Sequence, residues 1–238
     1  MAQNFAAERT ENLITTYMER SLHSSLKAYF CPDETCHEVK IGRFVADACR
    51  DGIIYEIQTA NMGALSKKLR YYLENTDFKI VVVRPLAQNR KILWLDKDTG
   101  ELCKAPRLSS KHEGLSSGVA DIFYLSEFLG HERLSFCLVS MEIDEVRLLD
   151  GYGKQKKIRS TSVDRVAGEI YSIDYINDLS DVKRVLLPLL PDGEFDRDEL
   201  SKSLKLKGRK LWSAQRLLLD SQLIESRKDG RKLIFKKI

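Results

Sequence analysis

Two acidic residues face each other across a tight β-hairpin in the segment Arg43-Phe44-Val45-Ala46-Asp47-Ala48-Cys49-Arg50-Asp51-Gly52-Ile53-Ile54-Tyr55-Glu56-Ile57-Gln58-Thr59. Asp51-Gly52 is a strong two-residue turn signal, because both central positions need φ > 0. Closing the chain on that turn pairs Arg50 with Ile53, Cys49 with Ile54, and Asp47 with Glu56. Side chains alternate along a strand, so Asp47, Glu56 and Gln58 share one face. Like charges directly opposite each other destabilise a sheet. A carboxylate pair in that place implies a bound cation or deliberate strain.

The flanking elements must hold this pair. Residues 8 to about 30 read as a helix with an apolar stripe of Ile14, Met18, Leu22 and Leu26, ended by Cys31-Pro32. Val39–Cys49 and Ile53–Thr59 are the hairpin strands. Asn61 is placed to cap a second helix, running through Leu65, Leu69 and Leu73 to about Asn75. Phe78–Arg84 is a continuous apolar strand, the pattern of a strand covered on both faces. Beyond it, Lys91–Leu95 and Glu101–Lys104 suggest a hairpin around Asp98-Thr99-Gly100. Val119–Leu129 suggests a helix, Leu134–Met141 and Val146–Leu149 strands, and Gly151–Ser162 an exposed basic loop.

Composition bounds the class. At 238 residues the chain accommodates one large domain or two smaller ones, and 43% hydrophobic residues suffice for a core. There is no apolar run of membrane-spanning length and no apolar signal core near Met1, so no membrane association is expected. Five cysteines without paired spacing indicate free thiols in a reducing compartment, hence a cytoplasmic location. Cys31 to His37 is too widely spaced, with no second pair, for a zinc site. Asp96 to Gly100 reads as a plain turn, and Gly114 to Gly118 as a linker before a helix.

The order helix, hairpin with Asp47 then Glu56-Ile57-Gln58, helix and buried strand resembles the PD-(D/E)XK nuclease superfamily over about residues 8–86. Glu19 resembles the acidic residue that many members carry on the first helix. The resemblance implies an α/β class: an α+β restriction-endonuclease-like core, with a mixed sheet flanked by helices. It implies Asp47, Glu56, Gln58 and Glu19 as catalytic residues. Mg²⁺, or alternatively Mn²⁺, would be held by Asp47, Glu56 and the carbonyl of Ile57. Mg²⁺ commonly takes one or two carboxylates, polarises a phosphate and lowers the pKa of a water. Most members carry lysine where Gln58 stands. Lys67 or Lys68 on the following helix is the candidate substitute cation.

The C-terminal segment carries the charge asymmetry. Residues 181–238 hold 15 Lys/Arg against 9 Asp/Glu, and residues 205–238 hold 11 against 3. A short helix over Asp181–Leu190, a capping-box start at Asp196 and Glu199, a helix over 209–221 and a hairpin about Asp229-Gly230 follow in order. This is the plan of a winged helix-turn-helix. Lys207, Arg209, Lys210 and Arg216 surround its recognition helix, and Arg227, Lys228, Arg231 and Lys232 its wing. The expected organisation is therefore a nuclease-like domain at 1–179, extended over about 90–179, and a winged-helix domain at 180–238. The expected function is metal-dependent cleavage of DNA, double-stranded and targeted by the winged helix, in a chain compatible with a homodimer. The alternative is a catalytically inactive nuclease-like protein that binds DNA or another protein.

Overall fold

The computed structural model describes residues 21–151 and 160–238. They form two compact units. One comprises residues up to Thr35 with Ala87–His112 and Ser140–Ser172; the other comprises Cys36–Leu86, Glu113–Val139 and Ile173–Ile238.

Helix α1 (Leu22–Phe30) starts where Ser21 accepts the Ser24 N–H at 3.2 Å, and it ends at Cys31 as expected. Residues 8–20 of the expected helix, Glu19 among them, lie outside the described residues. The expected strand Val39–Cys49 is in fact a hairpin of its own, β1 (His37–Ile41) and β2 (Phe44–Arg50), with Ile41 opposite Phe44. The reason is Gly42, which turns the chain at φ +59°; a Cβ there would overlap the Tyr71 hydroxyl. A side chain at this position would be strained by the backbone conformation and would force the end of the Tyr71 ring to move.

β3 (Ile53–Ile57) runs antiparallel to β2, with Arg50 opposite Ile53, Cys49 opposite Ile54 and Ala48 opposite Tyr55. The Asp51-Gly52 turn has both residues at positive φ, +51° and +77°, as its sequence requires. A 3₁₀ turn (Met62–Leu65) leads into α2 (Ser66–Asn75). Asn61 does not cap it through its side chain; it sits in the left-handed region at φ +50°, and its carbonyl receives the Ala64 N–H at 3.0 Å. After α2 the chain enters β4 (Lys79–Asp96), which pairs parallel with β3: Ile54 with Ile80, Glu56 with Val82, Ile57 with Val83. The sheet is thus mixed and is flanked by helices, as the α/β class requires.

β4 continues into β5 (Leu102–Leu108) through a turn in which the Asp96 carboxylate accepts the N–H groups of Asp98 and Thr99 at 2.9 and 3.0 Å. Gly114 to Gly118 is not a linker. Gly114 is the N-cap of α3 (Leu115–Ile122), and Gly118 lies against Leu86 and Leu138 inside that helix. A 3₁₀ stretch (Phe123–Phe128) replaces the rest of the expected helix. β6 (Leu134–Leu149) is one strand where two were expected. Its acidic residues break the apolar pattern, yet Glu142 pairs with Lys91, and Glu145 with Arg90 at 3.5 Å and Arg147 at 2.6 Å. Part of the expected 151–162 loop, residues 152–159, lies outside the described residues. Thr161 opens β7 (Thr161–Ile176), a strand with no sequence signal strong enough to announce it. The sheet order is β1-β2-β3-β4-β6-β7, with β5 on β4.

The C-terminal elements are α4 (Leu179–Leu186), β8 (Glu194–Asp196), α5 (Arg197–Leu204), α6 (Gly208–Asp220), β9 (Ile224–Asp229) and β10 (Lys232–Lys237). The capping box is formed: Asp196 accepts from Asp198 and Glu199, and Glu199 accepts from Asp196 at 2.8 Å. β8, β10 and β9 make a three-stranded antiparallel sheet in that order. Val182, Leu186, Phe195, Leu200, Leu211, Leu218 and Phe235 share one apolar cluster with Ala46, Ile54, Leu69, Ile80 and Ile122. The physical cause is α3, buried on nearly every side and packed against α6.

Two outcomes follow. Gly42→Ala lowers stability by more than ~1 kcal/mol, because it adds strain at positive φ and an overlap with Tyr71; urea denaturation of the two proteins measures the difference. A 1–179 fragment, stripped of half the shared cluster, loses cooperative thermal unfolding and near-ultraviolet circular dichroism; a sharp native-like transition in that fragment would refute the common core.

Candidate functional site

Glu56 points from β3 into a place where it is only 2% exposed. Its carboxylate is held from two successive turns of α2. Lys68 Nζ donates to one oxygen at 2.6 Å, and Tyr72 Oη to the other at 3.3 Å. The i, i+4 spacing on α2 is what lets both residues reach the same carboxylate. Burial pushes the Glu56 carboxyl up to about 7; Lys68 opposes the shift by hydrogen bond and charge, and the nearby Asp47 carboxylate adds to it. Tyr72 is likewise raised above its ordinary value, first by burial and then by the charge of Glu56.

Asp47, on β2, lies within electrostatic reach of Glu56, as the hairpin register requires. The strand ladder stops at Ala48 opposite Tyr55, one residue short of the expected Asp47–Glu56 pair. Past that point the Asp47 carboxylate takes over, accepting the Ile57 N–H at 2.7 Å. Gln58 departs from the pair: its amide nitrogen donates to the carbonyls of Ala60 and, at 3.0 Å, Asn61. Of the two candidate cations, Lys68 is at the site and Lys67 is exposed on α2. Tyr72 was not foreseen; its position four residues after Lys68 was the available signal. Among the described residues no group of three or more His, Cys, Asp or Glu gathers closely enough to hold a metal ion.

A second charged cluster escaped the sequence reading. Arg84, 7% exposed, ends the apolar run of β4. It donates to Asp121 at 3.0 Å and to the carbonyls of Thr59 at 3.0 Å and Pro85 at 2.7 Å, and it lies 3.6 Å from Glu113. Lys210 reaches the same two acids, Glu113 at 2.7 Å and Asp121 at 3.2 Å, and also Ser117. Two cations and two carboxylates thus close on each other. Arg84 is the buried member, so removing Asp121 would leave a buried guanidinium without its nearest acid.

The other basic residues expected to meet DNA divide into two groups. Arg209 donates to the Tyr124 hydroxyl at 2.8 Å, and its guanidinium lies 5.1 Å from the Tyr124 ring centre. Arg216 pairs with Asp220 at 2.9 Å, Arg227 with Glu194 at 2.8 Å, and Lys232 with Asp196 at 3.6 Å. Lys207, Lys228 and Arg231 are exposed.

A mixed α/β core with paired carboxylates on adjacent strands is the class that the fold and site define. The chain belongs to the family described as "Domain of unknown function (DUF8091)", whose model matches residues 20–177. That span includes Asp47, Glu56, Lys68, Tyr72, Arg84 and Asp121, and it stops before α4. An "Uncharacterized protein" from Treponema pallidum (strain Nichols) is 29% identical over 180 residues, covering 75% of this chain and 70% of that protein. No solved structure matches.

The raised Glu56 carboxyl has a pH signature. A group whose folded pKa lies above its unfolded value of 4.5 contributes stability that is complete below 4.5 and lost as pH rises through about 7. Relative to Glu56→Gln, the native protein should lose on the order of 2–3 kcal/mol between pH 4.5 and 8, measured by denaturant titration at each pH. Parallel stability curves for the two proteins would show that Glu56 is not perturbed. Lys68→Met should shift the loss to higher pH, because the one group that favours the charged carboxylate most is gone.

Proposed function

We propose that this protein is a metal-dependent nuclease of the PD-(D/E)XK type acting on DNA, with Asp47, Glu56 and Lys68 at its active site. The observation that carries the reading is the convergence of those three side chains at the β2–β3–β4 junction. The order α1, β1, β2, β3, α2, β4, antiparallel through β3 and parallel from β3 to β4, supports it. Asp47 and Glu56 would hold Mg²⁺ or Mn²⁺, with the Ile57 carbonyl as a further oxygen donor. That ion supplies phosphate polarisation and a more acidic water.

The chain's own residues have defined tasks in this reading. The Asp47–Ile57 hydrogen bond fixes the Asp47 carboxylate relative to β3. Lys68 provides the positive charge that Gln58 cannot, and in the free protein it holds the Glu56 carboxylate in place. Gln58, by gripping Ala60 and Asn61, shapes the loop leaving β3 instead of facing the substrate.

The order α4, β8, α5, α6, β9, β10, with its three-stranded sheet, supports a winged helix-turn-helix reading of the C-terminal elements. Lys207, Lys228 and Arg231 are the best-placed phosphate contacts, since Lys210 is committed to Glu113 and Asp121. The runner-up reading is a nuclease-like scaffold that binds DNA without cutting it. Glu56 at 2% exposure favours that alternative, since a metal must reach a carboxylate already paired with Lys68.

Plasmid nicking separates the two. In Mg²⁺ or Mn²⁺ the native protein should convert supercoiled to open-circular DNA. Asp47→Ala and Lys68→Ala should each lose at least ~100-fold of that activity, within the range one catalytic group supplies, while retaining DNA affinity. Binding without nicking in either metal selects the inactive scaffold. Equal nicking by the native protein and Asp47→Ala would remove this site from consideration.

A further inference from the structure

Beside the loop that leaves β3 there is a cleft of about 400 Å³, whose lining includes Asn61, Asp121, Tyr124, Arg209, Lys210 and Ser213. Its size is that of a small-ligand site, too small to admit a duplex. Its charge is unequal. Lys210 is neutralised within the closed set of Arg84, Glu113 and Asp121, whereas no carboxylate among the described residues pairs with Arg209. The Arg209 guanidinium is nonetheless held, by its hydrogen bond to the Tyr124 hydroxyl and its position over that ring. That bond uses Nε, so the terminal N–H groups remain for a ligand. α6 carries no acidic residue in its first turn, so the positive end of its dipole adds to the same potential.

One turn along α6 from Arg209 stands Trp212, 43% exposed and braced edge-on by Phe123 at 5.3 Å. Residues three apart share a helix face. A fixed guanidinium without a paired carboxylate and an exposed indole one turn away match one phosphodiester, which carries a single negative charge, and one unstacked base.

We propose that the rim of this cleft binds one nucleotide of single-stranded nucleic acid, its phosphodiester on Arg209 and its base on Trp212, which stands outside the cleft lining. The inference rests on the nucleic-acid reading above and narrows it: the ligand at this site is an unpaired strand and not the major groove of a duplex. Base-on-aromatic recognition of this kind tolerates any sequence, because every base has a π-face.

The test uses full-length protein, a single-stranded oligothymidylate, and a hairpin duplex of the same nucleotide count. Tryptophan fluorescence reports on Trp212, because Trp94 is only 5% exposed. Oligothymidylate should quench the native protein and leave Trp212→Phe unquenched. Arg209→Gln should weaken binding by about tenfold, as expected for loss of one charged contact, with its thermal unfolding unchanged. Trp212→Phe keeps a ring against Phe123, so by fluorescence anisotropy of a labelled strand it should bind nearly as well as the native protein. If the duplex binds but the single strand does not, or if Arg209→Gln binds normally, the cleft assignment is overturned and the nucleic-acid reading survives. If neither probe binds, the nucleic-acid reading itself fails and the cleft assignment falls with it.

Discussion

A carboxylate taken out of water must be paired, hydrogen-bonded or protonated, and Glu56 is paired with Lys68 and hydrogen-bonded by Tyr72. Its strand is interior to the sheet, antiparallel to β2 and parallel to β4, and its side chain is 2% exposed beneath Lys68 and Tyr72 of α2. α2 must then be positioned so that Lys68 and Tyr72 meet the two oxygens. That requirement sets the path from β3 through the Met62–Leu65 turn. It also explains why Gly42 must bring the β1–β2 turn so close to Tyr71, the neighbour of Tyr72. The carboxylate pair and the local packing are therefore one problem with one solution. Desolvation of Glu56 is a cost unless the Lys68 charge and the Tyr72 hydroxyl are delivered together.

The second buried charge set plays the corresponding part farther along the chain. Arg84 lies at the end of the β4 segment that follows Glu56's partner Val82. Its fork is filled by Asp121 and by backbone carbonyls at the loop after β3. Lys210 brings α6 to the same acids. The apolar stripe of a helix sets which face it buries, and charge pairs with fixed partners add to that preference. The C-terminal helices are thus keyed to α3 by charge as well as packed by Leu211, Leu217 and Leu218. This also explains why a basic segment carrying a net +8 over residues 205–238 offers fewer unpaired cations than its composition suggests.

These two clusters meet at the loop from Gln58 to Met62. Gln58 holds the carbonyls of Ala60 and Asn61, Arg84 holds that of Thr59, and Asn61 lines the cleft beside Arg209. A change at that loop would be felt both by β3, which carries Glu56, and by the cleft. The family match ends at residue 177, so the carboxylate pair and Arg84 fall within the shared region, whereas α6 falls outside it.

The sequence by itself determined what is local. Asp51-Gly52 dictated the hairpin and its register, because only two residues with positive φ close such a turn. Asp196 and Glu199 dictated the start of α5, because the capping box is built from neighbours. The apolar run Phe78–Arg84 dictated a strand covered on both faces. The tertiary structure alone decided what depends on distant partners. The unbroken β6 was hidden because Glu142 and Glu145 are satisfied by Lys91, Arg90 and Arg147, and β7 because its largely solvent-facing residues carry no apolar alternation. The choice of Lys68 over Lys67 rested on helix rotation, which the α2 sequence leaves open. Lys210 read as a surface cation until Glu113 and Asp121 closed on it, 97 and 89 residues away. No sequence pattern records a pairing across such a separation, because the energy that selects it exists only once both partners have lost their water.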